Sequence, residues 1–109
     1  MSHQPNTLNV PVWVHWIPRS QGGRQILPQA RGGLYYVITP PLPSTLPEPC
    51  SWSLVLQITQ NDDTDTNGAR YSLGYAHFLM DEAPSDLLKP GFTVDIYEGP
   101  RKVGLVEVI

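Results

Sequence analysis

The residues best suited to chemistry sit in one short run, Asp63-Thr64-Asp65-Thr66-Asn67-Gly68. Side-chain oxygens at alternating positions before a glycine are the opening of a calcium loop, where they converge on a hard cation. Asp63, Asp65 and Asn67 are the candidate ligands. Such a loop takes a bidentate glutamate at its twelfth position, which here falls on Gly74. The flanks also read as strands, where a calcium loop has helices. Any calcium binding would therefore be weak, and the same residues suit a solvated hairpin tip rich in turn formers. No other metal site is expected. His3, His15 and His77 lack ligand spacing, although His15 and His77 both lie in strands that could face each other across a barrel.

Nucleophilic chemistry finds equally little support. Ser51, Ser53 and Ser72 fall in strand-like runs, and no G-x-S-x-G elbow occurs. Cys50 has no cationic neighbour in sequence to depress its pKa. No G-x-x-x-x-G-K-[ST] loop is present to cradle nucleotide phosphates. A non-enzyme that needs no cofactor is the expectation.

The elements that must position these residues are strands. In 109 residues with 12 prolines, long helices have little room, and the length suits one domain spanning 1–109. Residues 10–17 place Val10, Val12, Val14 and Trp16 on one side and Trp13, His15 and Ile17 on the other. That pattern predicts a strand covered on both faces. Residues 34–39 form a short β-branched and aromatic run, and Trp52, Leu54, Leu56 and Ile58 alternate with polar or smaller residues. Residues 70–80, 92–97 and 103–109 complete six strands, with one helical turn expected near Ser85. Between them lie a proline-rich loop at 40–49, holding five prolines, and an acidic loop at 61–68. Residues 1–8 read as a flexible N-terminus. A closed, six-stranded antiparallel β-barrel is predicted, because closure hides the edges of apolar strands.

Charge narrows the partner. The formal charge is −3, from 7 Lys+Arg and 10 Asp+Glu, which disfavours DNA or a general polyanion. One cysteine permits no internal disulfide, and no run approaches the roughly 20 apolar residues of a membrane span. The start, MSHQPNTLN, lacks a signal-peptide layout, so a cytoplasmic protein is expected.

Two stretches carry a resemblance. One is VWVHWIPRSQGGR at residues 12–24, followed by Pro28 and the strand around Tyr35-Tyr36. The other is the C-terminal block from Ala76, with Phe92, Val94, Ile96, Glu98, Gly99, Arg101, Val103, Gly104 and Val106. Together they resemble the C-terminal β-barrel, the third domain, of translation elongation factor Tu, as a free-standing domain. That family has a glycine-glycine-arginine turn and a closing strand of the type F-x-I-x-E-G-x-R-x-V-G. The resemblance implies contacts to a partner from Arg24, Gln25, Glu98 and Gly99, which in the factor touch the T-stem of aminoacyl-tRNA. The chain departs from the family at residues 30–35 and at Val106, where the family has glycine.

Cations cluster at Arg19, Arg24 and Arg31 and again at Arg101 and Lys102. A barrel closed as in the family would bring these turns together as a positive patch able to orient a charged partner. Of Trp13, Trp16 and Trp52, at least two should fill the core, and Trp13 or Trp16, if outward, would suit a protein interface, with Trp13 the candidate taken forward. The reading that follows is a binding module for a protein partner, such as a mimic, immunity or decoy protein. The alternative is a tRNA- or RNA-binding accessory of translation.

Overall fold

A half-buried strand needs a neighbour on each edge for its backbone groups and a core on one side for its apolar residues. The computed structural model describes residues 9–31, 33–66 and 69–109; the N-terminal residues 1–8 lie outside the described residues. It meets both needs with a closed barrel of six strands: β1 (Val10–Trp16), β2 (Tyr35–Ile38), β3 (Ser53–Thr66), β4 (Ala69–Phe78), β5 (Thr93–Glu98) and β6 (Arg101–Val108). Around the barrel the order is β1-β4-β3-β2-β5-β6, and every pairing is antiparallel. No helix among the described residues is long and apolar enough to cross a membrane.

The inner layer follows from alternation. Val10, Val12, Val14 and Trp16 point inward from β1, and they meet Leu54, Leu56, Ile58, Phe78, Ile96, Val103 and Val106. The middle of the inner face of β4 is built from small residues, with Ser72 and Ala76 fully buried between Arg70 and Phe78. This leaves space for the Trp16 indole, whose Nε1 donates to Ser72 Oγ at 2.8 Å. Trp52 and Leu88 bury themselves from the connecting segments. Between β5 and β6 the register shifts after Ile96, so that Val103 and Gly104 are both buried in succession. Such a bulge bends a strand and helps a small barrel to close.

Three expectations change. The outer face of β1 is not covered, since Pro11 and His15 are exposed and Trp13 is half-buried. Only the inner face packs against the core, because β1 is already flanked in the sheet by β4 and β6 and no further element among the described residues covers its outer face. Second, residues 61–66, expected as a loop, continue β3, and Asn61 and Asp62 pair with Ser72 and Tyr71. The acidic side chains are tolerated there because the Asp63 carboxylate is neutralised by Arg19 and by Arg70. Third, His15 and His77 do not meet. His15 stands opposite Tyr71, whereas His77 pairs with Val55 farther along β4.

The proline-rich segment forms no regular strand, and an isolated bridge between Leu42 and Cys50 closes its base. Proline lacks the N–H that a ladder requires, and Pro40 and Pro41 come one residue after the end of β2. As a result β2 meets β5 through one register pair, Ile38 with Tyr97.

Candidate partner-binding site

The site is assembled from two turns and the head of a strand. After β1 the chain makes a single 3-10 turn at Arg19–Gln21, and Gly22 then adopts a left-handed φ of 91°. Gly23 donates its N–H to the carbonyl of Pro18 at 3.0 Å. Its backbone lies so close to the preceding chain that an added Cβ would stand 1.9 Å from the carbonyl oxygen of Ile17. Only glycine fits there. The turn launches Arg24 toward the barrel, and its Nε is fixed by the carbonyl of Ile26 at 2.8 Å.

The second turn joins β5 to β6. Glu98 and Arg101 face each other across it, and Gly99 supplies a φ of 58°. Between the two turns stands Tyr35, the first residue of β2, with its ring 6.0 Å from that of Trp16. The Glu98 carboxylate collects all of them. One oxygen accepts from Arg24 Nη1 and from the Tyr35 hydroxyl, and the other accepts from Arg101 Nη2 at 2.8 Å. The Arg24 guanidinium also lies over the Tyr35 ring, 5.1 Å from its centre, in cation–π geometry.

These contacts decide the protonation states. Burial works against the charge on Glu98, but hydrogen bonds from Tyr35, Arg101 and Arg24 outweigh it and hold the carboxyl below its ordinary value. Burial, together with the acceptor Glu98, pushes the Tyr35 phenol well above its ordinary value. Burial opposes the charge on Arg24, yet Tyr35 and Glu98 raise its pKa further. Near neutral pH none of the three exchanges a proton, so the cluster is suited to holding a shape and not to acid–base chemistry.

Other sequence candidates fall in different places. Gln25 is exposed beside Arg24, and its carbonyl accepts from Arg19 Nε at 2.8 Å. Arg31 is held at the same end by its N–H on the carbonyl of Ile58, 2.8 Å away. It sits at φ 61°, a left-handed conformation that costs a non-glycine residue about 1 kcal/mol. Lys102 turns away to Asp95, at 3.2 Å. Trp13 lies outside the cluster, on the outer wall of β1 against Tyr71 and His15. The broad basic patch expected from five cations thus narrows to a corner, because Arg19 is paired with Asp63 and Lys102 with Asp95.

Asp63 of the calcium-like run serves as an anchor for Arg19 and Arg70; Asn67 and the side chain of Asp65 lie outside the described residues. No group of three or more His, Cys, Asp or Glu able to hold a metal occurs among the described residues.

Nothing in the sequence marks Tyr35 as the tie between the two turns. The one signal available was that an inward aromatic with a polar tip needs a partner when buried. Ile26 and Leu34, 76% and 52% exposed, were also hidden, because single apolar residues in a loop carry no pattern. Beside Arg24 and Tyr35 a cleft of about 220 Å³ opens, with Pro28, Leu34 and Ile58 among its walls. No family model, curated protein or solved structure matches this chain.

Proposed function

We propose that this chain is a non-catalytic, cytoplasmic binding module of the elongation factor Tu third-domain type, and that it engages a protein partner through the Arg24 corner. The observation that carries the reading is the contact between Arg24 and Glu98, 74 residues apart in sequence. Those residues belong to the two motifs on which the resemblance rests, and their meeting is what a shared barrel closure requires. A barrel that presents this corner suits a mimic, immunity or decoy protein. It would occupy a surface that a larger factor engages.

A protein is favoured over tRNA by the local ion pairing. Asp63 pairs with Arg19 and Asp95 with Lys102, so the cations are confined to one corner and form no continuous track for a phosphate backbone. Affinity capture with the intact barrel, paired with tRNA titrations at two salt concentrations, tests the reading. A reproducible protein partner and no micromolar tRNA binding are expected. Tight tRNA binding that weakens steeply with salt would overturn it.

A further inference from the structure

We infer that the Arg24 corner receives an acidic segment of the partner and seats one apolar side chain of that segment in the cleft beside Tyr35. This rests on the binding-module reading and names the chemistry of its partner. Arg24 and Arg101 gather on the single carboxylate of Glu98, and the backbone of Arg31 is held on Ile58, a wall of the adjoining cleft. The corner is thus positive on a chain whose formal charge is −3. Nearby Asp63 adds no net negative charge, because both Arg19 and Arg70 pair with it.

The guanidiniums are fixed but not used up. Arg24 spends Nε on Ile26 and Nη1 on Tyr35 and Glu98, so its Nη2 has no hydrogen-bond partner among the described residues. Arg101 commits Nη2 alone, and its side chain is 51% exposed. Arg24, fixed by Ile26, Tyr35 and Glu98, and the half-exposed Arg101 both keep open N–H donors that a carboxylate can accept from. At Arg24 little side-chain freedom is left for binding to remove.

The apolar component is what singles out a peptide. Ile26 and Leu34 stand exposed beside these cations, a mixture of arginine and large apolar groups common at the centres of protein interfaces. The cleft, at about 220 Å³, is below the roughly 300–1,000 Å³ typical of a small-molecule pocket and suits one side chain. A phosphate backbone would meet the arginines but offer nothing to Ile26, Leu34 or Ile58. The left-handed Arg31 fits the same picture, since such conformations gather where a binding surface must be held in shape.

The test uses the whole chain and a fluorescein-labelled peptide of glutamates around one central leucine. Matched peptides replace the leucine by serine or the glutamates by lysines, and anisotropy is read at low salt. The acidic leucine peptide should bind, with affinity at least about fivefold above either matched peptide. R31Q and R101Q should each weaken it about threefold or more, L34S likewise, and K89Q should change nothing. K89Q controls for net charge, because Lys89 lies beside the Gly91–Val108 contact at another part of the barrel. Equal binding of all three peptides, indifference to R31Q and R101Q, or displacement by tRNA at lower concentration would overturn the inference. A lysate partner captured equally by wild type and the R31Q/R101Q double variant would sink this surface and leave the binding module standing. Failure to capture any protein strikes the module reading itself.

Discussion

Replacing Glu98 by glutamine removes a charge while keeping the shape of the side chain. The carboxylate accepts from Arg24, Tyr35 and Arg101 and is largely shielded from water. Hydrogen bonds to a charged group contribute about 1.5–3 kcal/mol when buried. The amide retains part of this, and the half-exposed Arg101 contributes little through solvent, so the predicted loss is about 1.5 kcal/mol. With an unfolding entropy near 2.1 cal/mol/K per residue, a domain of this size should melt about 6–7 °C lower. The pH dependence is the sharper signature. Because the folded carboxyl is held below its ordinary value, its stabilisation is complete above the unfolded value of about 4.3. It disappears as pH falls through the folded value. Melts followed by circular dichroism across the acid range should show the gap between wild type and E98Q full near neutrality and closing in strong acid. A gap that stays constant or widens on acidification would refute the reasoning, as would equal Tm values at neutral pH.

Three further outcomes follow from other parts of the barrel. D63A should lower stability by about 3 kcal/mol, because it strips the counter-charge from Arg70, whose side chain is 0% exposed. Urea unfolding should show the loss equally in calcium and in chelator; a loss below about 1 kcal/mol would contradict the anchoring role. G23A should cost about 3 kcal/mol or more, since the added methyl meets the carbonyl of Ile17, whereas G22A should cost only about 1 kcal/mol through its φ. Similar midpoints for the two variants would argue against the close approach. Hydrogen exchange should be faster at β2 than in the β1–β4 ladder, and protection there equal to that of β1 would count against a weak seam.

How much was legible depends on how each residue announces itself. The strands around Val12 and Val94 are half-buried, so alternation marks them directly, whereas Leu54, Val55 and Leu56 are buried in succession. Residues 61–66 escape because backbone pairing has no hydropathy signature, and an aspartate held by two arginines reads as solvent-loving until its partners are known. Alternation places Trp16 with Val10, Val12 and Val14 and Trp13 with His15 and Ile17, yet both sides carry enough apolar bulk to read as covered. The choice is made by the small Ser72 of β4, which admits the Trp16 indole. The turn residues Arg24, Glu98 and Arg101 were singled out through resemblance to a family. Tyr35, which ties them together, looks like any core aromatic until its hydroxyl is placed against Glu98.

The single bridge between Ile38 and Tyr97 has a mechanical consequence. Where most neighbouring strands are stitched by several backbone pairs, β2 and β5 are fastened chiefly by side chains, Tyr35 on one lip and Glu98 on the other, with Arg24 bracing both. The cylinder therefore behaves like a cuff with one buckle. Whatever grips the buckle also governs whether the cuff stays shut, so occupancy at the rim and rigidity of the wall are two readings of the same latch.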